Sequence, residues 1–470
     1  MKEKKKNSLY KYLQKDIKDF NKYILSLVCI GILVGAGLLS YYVTSSYALF
    51  SDTIMGTKTI EGTVKLKNLD TSGANEPVLD DAMIPVYYDS ENDIWRKADE
   101  NNSNKNYKWY DYDSKMWANS VTVSSTNRSK YLSADKGTEI SMDDILTMQV
   151  WIPRYKYKVW NYNDDGTVSS NPQEIEITWE EGISKTGEIS CEDAISGTDG
   201  DPSETCKLKA TNEVCTDDTC NTKTYTHPAF TFGDDEISGF WVGKFELTGE
   251  IDSITTKPNL SSLIDFDIST FETNIMNMKN SGNSYGLSTF TDTHMIKNSE
   301  WGAVAYLSHS KYGTCTDGTC NEIGTGNAYN TTTGMVASTT HNIYGVYDMS
   351  GGILEYVMAN SINASGTAML PESSGYTAST YPNSKYYDKY SYTKSSTTRK
   401  ISKIGDAIKE IYRTGKLGWY ESSSKVIYGN ASWFVRGGAL SAGNLFDSDA
   451  DQGGTDHDYF STRLIITPQS

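Results

Sequence analysis

MQVWIPRYKYKVW, residues 148–160, is the stretch that decides the fold. Apolar or aromatic side chains alternate with Lys and Arg along much of it, and a period of two is typical of a β-strand rich in Val, Trp and Tyr. The stretch predicts the opening strand of the main folded domain. FWVGKFELT, residues 240–248, has the same character and predicts a second strand of that domain.

Helical spacing appears at two places in the same domain. Residues 269–280 carry Phe271 and Ile275 at helical spacing behind a Ser/Thr cap, and residues 292–309 carry Trp301 in a similar pattern. Gly, Asn, Ser and Tyr dominate the remainder. Few helices, short strands and long ordered loops indicate an α+β fold class. We assign this domain to residues 146–470.

Residues 49–145 form a β-rich extension before that domain. YDSENDIW (88–95) and YDYDSKMW (110–117) share Tyr-Asp, an acid at the fourth position and Trp at the eighth. Each predicts a β-hairpin with a polar turn and one buried Trp. A duplicated structural hairpin is the favoured interpretation, and a sugar-binding aromatic pair is the alternative.

The N-terminus has the composition of a membrane-targeting segment. Residues 1–22, with eight Lys against three acidic residues, form a basic cytoplasmic tail, and residues 23–43 carry no charge over 21 positions. Such a length crosses a bilayer, and the Lys cluster places the rest of the chain outside the cytoplasm. Residues 23–48 are therefore a transmembrane or signal segment. Cleavage after Ala48 and permanent anchoring both stay open.

The overall charge argues against a nucleic-acid partner. The chain carries −17 at neutral pH despite its basic tail, and 37% hydrophobic residues are typical of a globular protein. An acidic body repels phosphate groups. We expect no nucleic-acid function.

Cysteine spacing also fits an extracytoplasmic location. Six cysteines lie outside the apolar N-terminal segment, and they fall in three close pairs: Cys191 with Cys206, Cys215 with Cys220, and Cys315 with Cys320. Each pair predicts a local disulfide, and the first two pairs lie in an acidic insertion at residues 174–224. A zinc site would need Cys-x-x-Cys knuckles or added His ligands, which the spacing does not show.

Several segments, in order, carry a family resemblance. They are VWIP (150–153), GFWVGKFELT (239–248), KNSEW (297–301), NIYGVYDMSGGILEYV (342–357), and VRGG (435–438) with STRL (461–464). Together they resemble the domain of formylglycine-generating enzymes and sulfatase-modifying factors, a branch of the C-type lectin-like fold. LFSDT (49–53) and GTV (62–64) resemble the start of camelysin-like biofilm-matrix proteins. The resemblances imply a surface-anchored or secreted protein of a Gram-positive-type bacterium.

The catalytic devices of that enzyme family do not match this sequence. Its oxidases hold copper with a cysteine pair near the C-terminus, whereas this chain has no cysteine after Cys320. Other members use three His to hold iron. Here the five His are scattered singly: His227, His294, His309, His341 and His457. We therefore predict no catalytic residue and no enzyme activity.

A calcium ion is the cofactor that the resemblance and the composition suggest. The family motif binds calcium partly through an Asn and a Glu. Glu355 stands at the Glu position, but Gly352 replaces the Asn. Asp447, Asp449 and Asp451 form a second candidate set, because carboxylates at alternate positions suit a hard cation. A solvated acidic loop is the alternative for the second set.

The C-terminal segment, residues 439–459, supplies the predicted ligand surface. In this fold the corresponding segment displays binding residues. Asn444, Phe446, His457 and Tyr459 combine aromatic anchors with adaptable polar groups. We expect a recognition protein that binds a protein or glycan ligand without catalysis. A metal-dependent oxidoreductase and a structural cell-surface or biofilm-matrix component stay open as alternatives.

Overall fold

A computed structural model describes most of the chain after residue 48. The described ranges are 49–54, 58–63, 67–158, 172–187, 224–325, 328–362, 372–391, 405–408, 411, 419–421, 424–425, 433–438 and 444–468. The chain divides into two compact units, Met1–Asn68 and Leu69–Ser470. In the first unit, Leu49–Ile54 pairs antiparallel with Lys58–Thr63 as a hairpin.

Within the described ranges the protein is mostly sheet with few helices. The strands in chain order are β1 (Leu49–Ile54), β2 (Lys58–Thr63), β3 (Ile84–Asp89), β4 (Ile94–Lys97), β5 (Asn119–Val123), β6 (Ile145–Pro153), β7 (Tyr155–Lys158), β8 (Glu176–Trp179), β9 (Tyr225–Thr226), β10 (Thr231–Phe232), β11 (Asp235–Glu236), β12 (Gly239–Gly243), β13 (Thr248–Glu250), β14 (Ser253–Thr255), β15 (Asp292–Met295), β16 (Cys315–Thr316), β17 (Thr319–Cys320), β18 (Leu354–Ile362), β19 (Asp388–Ser391), β20 (Ser424–Lys425), β21 (Trp433–Arg436), β22 (Ser448–Gln452), β23 (Phe460–Ser461) and β24 (Leu464–Thr467). The α-helices are α1 (Ser125–Ser133), α2 (Ile268–Asn277) and α3 (Asn298–Ser308).

The stretch 148–160, predicted as one strand, contributes to two. Residues 148–153 belong to β6, the central strand of the second unit, and Tyr155–Lys158 form β7, which pairs with β8 and β9. A seven-stranded sheet has the order β15-β24-β12-β6-β5-β3-β4, and each neighbouring pair is antiparallel. β6 lies at its middle, and all its residues except Leu146 are buried. Strands from residues 84–123 therefore share one sheet, and one compact unit, with strands of the predicted 146–470 domain.

A second sheet is formed by strands that lie between residues 354 and 461. Its order is β19-β18-β21-β22-β20, and β23 pairs with β18. In this sheet Glu355 lies opposite Arg436, and Arg436 lies opposite Ser448. The register places β22 beside β21 and β23 beside β18, and the candidate site directly precedes β23.

Both predicted helices exist, but one prediction was too long. α2 begins at Ile268 because the Asp267 side chain accepts a hydrogen bond from the Thr270 N–H (2.7 Å). Asp292–Met295, predicted as helix, is strand β15, and α3 begins at Asn298. Residues of β15 pair with Leu464–Thr467, about 170 positions away, and a local pattern cannot report that partner.

The two predicted hairpins differ. The first is confirmed, since β3 and β4 pair from Val86 to Lys97. The second is a single bridge, Asp111↔Met116, around a 3-10 turn at Tyr112–Ser114. The Asp111 carboxylate accepts from the Ser114 hydroxyl (2.8 Å) and tightens this turn.

Trp95 and Trp117, the final residues of these two segments, are both buried, at 2% and 0% exposure. The indole N–H of Trp117 donates to the Tyr312 carbonyl (2.8 Å). Neither ring is available to a sugar, so the interpretation as buried structural tryptophans holds.

Stacked tryptophans lie at the centre of the core. Trp241 of β12 lies 5.2 Å from Trp151 and 6.2 Å from Trp109, measured between ring centroids. Helix α3 is buried along its whole length, and the indole N–H of its Trp301 donates to the Leu445 carbonyl (2.9 Å). The C-terminal segment is thereby attached to the most buried helix.

Several predictions about the N-terminus and the insertion fall on residues that the structure does not describe. Within the described ranges, no helix is long and apolar enough to span a membrane. The predicted segment 23–48 lies outside those ranges, as do Cys191, Cys206, Cys215 and Cys220. The start of the 174–224 insertion is ordered, because β8 pairs with β7.

Candidate functional site

An aromatic pair, exposed Tyr459 and half-buried His457, lies at the end of the C-terminal segment. Tyr459 is 44% exposed, and the His457 side chain is 33% exposed. Their ring centroids lie 3.6 Å apart. Beneath them the buried Phe460 ring lies 4.7 Å from Tyr459, and Tyr356 lies 4.8 Å from Phe460. The pair is therefore supported by the core of the second sheet.

Backbone hydrogen bonds hold this pair in position. The His457 carbonyl accepts from the Asp265 N–H (3.1 Å). The Tyr356 hydroxyl donates to the Thr455 carbonyl (3.0 Å), and the Thr462 hydroxyl donates to the Tyr356 carbonyl (2.8 Å). A surface fixed in this way loses little conformational entropy when a ligand binds.

Carboxylates flank the aromatic pair. Asp458, with a side chain 77% exposed, lies 3.0 Å from the His457 Nδ1 atom. Asp456 is also exposed and accepts from the Thr455 hydroxyl (2.7 Å). Aromatic faces stack on flat apolar surfaces, and carboxylates accept hydrogen bonds from hydroxyl or cationic groups. The surface combines both kinds of contact.

Phe446 and Asn444, the other two predicted ligand residues, have structural contacts. Phe446 is 1% exposed and stacks nearly parallel to Tyr420, with 6.4 Å between the ring centroids. The Asn444 side chain accepts from the Phe446 N–H (2.8 Å) and donates to the Tyr420 carbonyl (3.1 Å). Both residues are buried here, so the exposed surface of the segment is formed without them. Composition could not distinguish which aromatic side chains of the segment point inward.

A small cleft lies behind these two residues. His309, Glu322 and Tyr420 line it together with Asn444 and Phe446. The His309 Nε2 atom is 2.9 Å from the Tyr420 hydroxyl. Burial lowers the pKa of His309 to about 4, so its imidazole is neutral at physiological pH.

The disulfide predicted for the third cysteine pair is confirmed. Cys315 and Cys320 lie opposite each other on β16 and β17, and their sulfur atoms are bonded at 1.95 Å. A ring nitrogen of His309 and the two sulfur atoms all lie within 4.8 Å of one another. Because the sulfur atoms are bonded to each other, this group offers no thiolate in its oxidised form. Sequence spacing could not reveal that His309 lies beside the pair.

Two separate metal sites were predicted, one at Glu355 and one at Asp447, Asp449 and Asp451; of the second set, the structure describes the side chains of Asp447 and Asp449. Glu355 lies opposite Arg436, and Arg436 lies opposite Ser448, so these three side chains share one face of the sheet. Side chains alternate along a strand, and Asp449, next to Ser448, therefore points to the opposite face. The Asp447 carboxylate accepts from the Asn444 N–H (3.0 Å). The acidic run that was predicted as a loop is strand β22, and the Asp451 side chain lies outside the described part.

Glu355 instead belongs to a buried acidic cluster that contains one arginine. Arg463 contacts both of its carboxylate oxygens, with 3.0 Å between Nε and Oε2. Burial and the neighbouring Glu355 and Asp348 carboxylates raise the pKa of Glu246 well above its usual range. Gly352 has φ +65°, and a Cβ atom there would lie 2.3 Å from Glu246 Oε1.

A further titratable cluster was missed by the sequence reasoning. His294, on β15, lies between Glu300 (Nε2 to Oε1, 3.1 Å) and Asp292 (Nδ1 to Oδ1, 3.4 Å). Burial opposes the imidazolium charge, but the two carboxylates outweigh it and raise the pKa of His294 to about 9. Phe232 stacks on the imidazole at 4.8 Å. Glu300 follows His294 by six positions, and a helical pattern gave no signal for the contact.

A cavity of about 480 Å³ adjoins this cluster. Its wall mixes carboxylates with apolar side chains, and the lining residues are Ile183, Phe232, Asp234, Asp235, Glu236, Ile237, Asp292, Thr467 and Pro468. Two of the carboxylates are already paired with cations, since Asp292 lies 3.0 Å from Lys385 and Glu236 lies 2.7 Å from Arg154. The exposed Asp234 and Asp235 leave the entrance acidic.

Comparisons with known proteins do not assign a family. No family model matches the chain, and no curated protein matches it. Among solved structures, the chain is similar to "Treponema denticola variable protein 1", with 11% identity, 58% of this chain and 93% of that chain covered, and a TM-score of 0.24. A likeness at that TM-score carries no argument about fold or function. The function of this protein is therefore inferred from the contacts, exposure and charges of its own residues.

Proposed function

We propose that this protein is an extracytoplasmic recognition protein, surface-anchored or secreted, that binds a protein or glycan ligand without catalysis. The observation that carries the proposal is the exposed pair of His457 and Tyr459, held on the buried rings of Phe460 and Tyr356. Rigid aromatic side chains provide contact area at low entropic cost.

The chemistry of this surface suits two ligand classes. The partly exposed Tyr459 ring can pack against the C–H face of a sugar ring, and the exposed Asp456 and Asp458 carboxylates can accept hydrogen bonds from its hydroxyls. The same carboxylates attract a Lys or Arg side chain of a protein partner. A polyanion is a poor ligand for this surface because like charges repel.

We also propose that residues 146–470 adopt a C-type lectin-like fold of the sulfatase-modifying-factor type. Two observations support it. The segments that carry the resemblance lie on β6, β12, α3, β18, β21 and β24. In addition, β12 lies directly between β6 and β24, so the first and last strands of the domain share neighbours in one sheet.

The extracytoplasmic location is supported by the Lys-rich tail followed by 21 uncharged positions. The Cys315–Cys320 disulfide agrees with an oxidising compartment. Tags placed after residue 60 should be labelled on intact cells, and a tag at Met1 should not. Labelling at Met1 alone would reverse the orientation.

The binding test uses glycan and protein arrays probed with the full chain in detergent. Once a ligand is found, Tyr459→Ala should weaken its capture about fivefold or more, which corresponds to about 1 kcal/mol. Phe290→Ala is the matched control, because Phe290 is an aromatic residue 76% exposed outside this segment. Equal binding by the wild-type chain and Tyr459→Ala would reject the surface.

The acidic cavity provides the alternative location for a cationic ligand. Asp235→Asn changes an exposed carboxylate at its wall and leaves the His457–Tyr459 surface intact. A ligand whose capture depends on Asp235 and not on Tyr459 binds in the cavity, and the proposed surface is then wrong. Under the proposal, Asp235→Asn binds like the wild-type chain.

A further inference from the structure

We propose that reduction of the Cys315–Cys320 disulfide creates a binding site for a thiophilic divalent cation such as Zn²⁺. Its protein ligands are the two thiolates and one ring nitrogen of His309. The proposal goes beyond ligand recognition and does not depend on it. It starts from the observation that these three ligand atoms already lie within 4.8 Å of one another.

The three side chains are grouped closely enough to form a tetrahedral zinc site once the two sulfur atoms separate. Zinc binds Cys sulfur at about 2.3 Å and His nitrogen at about 2.0–2.1 Å, so neighbouring ligand atoms lie roughly 3.5–4 Å apart. Cys315 and Cys320 are a directly opposed pair on β16 and β17, and their side chains therefore stay on one face of the hairpin after reduction. The connecting Asp317 and Gly318 are exposed, which leaves room for the small separation of the sulfurs.

The third ligand is held in place by the rest of the fold. His309 ends helix α3, and its N–H donates to the Ala305 carbonyl (3.0 Å). Its ring packs against Trp419, with 5.0 Å between the ring centroids. A neutral imidazole carries its proton on one ring nitrogen and can offer the other to a metal ion.

The surroundings favour a cation and leave a coordination position open. Glu322 lines the same cleft as His309, so an acidic side chain lies near the three ligand atoms. With three protein ligands, the fourth position is open to water.

Reduction of the disulfide and binding of the metal ion are two separate steps, and atoms and electrons balance in each. A dithiol reductant supplies two electrons and two protons, the sulfur–sulfur bond breaks, and the reductant leaves as its own disulfide. Zn²⁺ then displaces the two thiol protons and binds two thiolates and the neutral imidazole. Cys320 is partly exposed whereas Cys315 is buried, so a reductant reaches the pair through Cys320. The site is therefore available only in the reduced state.

The test uses Co²⁺ as a probe, since cobalt–thiolate bonds absorb in the near ultraviolet. The full chain is reduced with a phosphine and titrated with Co²⁺ beside the double variant Cys315→Ser/Cys320→Ser. Because the phosphine also reduces other cysteines, the quantity measured is the difference in Co²⁺ uptake between the wild-type chain and the double variant. The proposal expects one additional Co²⁺ per chain in the wild type and no such difference when both proteins stay oxidised.

His309→Ala should lose the same Co²⁺ equivalent or bind it at least tenfold more weakly, whereas His341→Ala should not. His341 is a half-buried His outside the three-ligand group and is the matched control. X-ray absorption provides a measurement that needs no His variant. The reduced, zinc-loaded wild-type chain should show sulfur and nitrogen ligands from this site, and the double Ser variant should lack both. Equal Co²⁺ uptake by the wild type and the double Ser variant overturns the proposal.

Discussion

Arg463 and Glu355 form a fully buried ion pair that joins the two main sheets. Glu355 is on β18, and Arg463 directly precedes β24. Two guanidinium nitrogens contact the two carboxylate oxygens, and Arg463 Nη1 donates to the Gly243 carbonyl (3.0 Å) at the end of β12. One side chain therefore fixes three strands, and Glu355, which the sequence suggested as a calcium ligand, already has a cationic partner.

Arg463→Met should destabilise the protein strongly. It leaves the Glu355 carboxylate buried without its cation, and breaking a buried pair typically costs about 3–5 kcal/mol. The loss should shrink at low pH, because protonation removes the uncompensated charge. Adding Glu355→Gln should restore part of the stability. Urea denaturation measures each value.

Arg96→Ala is the control for this prediction. Arg96 pairs with Asp89 (2.7 Å) at the surface, with side chains 25% and 18% exposed. A pair of that kind contributes no more than about 1 kcal/mol. A loss as large as that of Arg463→Met would show that burial does not explain the difference.

Stability and ligand capture should respond to different residues. Trp301→Ala removes a fully buried side chain and its bond to Leu445, and should cost about 3–5 kcal/mol. Tyr459→Ala removes an exposed ring and should change the free energy of unfolding by no more than about 0.5 kcal/mol. Thermal melts recorded beside the binding assay test both. If Tyr459→Ala melts like Trp301→Ala, the exposed pair is part of the core.

The stability of the protein should fall between neutral and alkaline pH because of His294. Its pKa is raised in the folded state to about 9, above the unfolded value of 6.5. The stabilising contribution is therefore complete below about pH 6.5 and is lost as the pH rises through 9. A shift of this size corresponds to something on the order of 3 kcal/mol.

His294→Gln should remove that dependence. Its urea midpoint should lie below that of the wild type at pH 6.5, and the two should converge above pH 9. Glu272 also faces His294, and burial raises its pKa to about 7, so it titrates at the lower end of the same window. Both curves are therefore also recorded in a Glu272→Gln background. Parallel curves for the wild type and His294→Gln between pH 7 and 9.5 would contradict the assignment.

The remaining cysteines should form local bridges. Peptide mapping without reduction should find Cys191 joined to Cys206 and Cys215 joined to Cys220, beside the Cys315–Cys320 bridge. Closure of short loops is favoured over closure of long ones. A peptide that joins Cys206 to Cys320 would show that spacing misled the prediction.

Strand and helix positions with strong local patterns could be predicted from the sequence. β6 and β7 lie along the stretch that alternation indicated, α2 lies where helical spacing indicated, and Trp95 and Trp117 are buried as expected. Asp292–Met295 was mistaken for helix because its strand partner is β24, which is distant in the chain. The acidic run at β22 was mistaken for a loop for the same reason, since it pairs with β21.

The sequence by itself determined the α+β class, the central strand, the buried tryptophans and the Cys315–Cys320 bridge, because each depends on periodicity or on residues close in the chain. Only the tertiary structure decided that Phe446 is buried while Tyr459 is exposed, and that His309 lies beside the disulfide. It also decided that Arg463 forms an ion pair with Glu355. These contacts join residues up to 108 positions apart, and which side chains meet at such distances depends on strand register and helix packing, which no local pattern encodes.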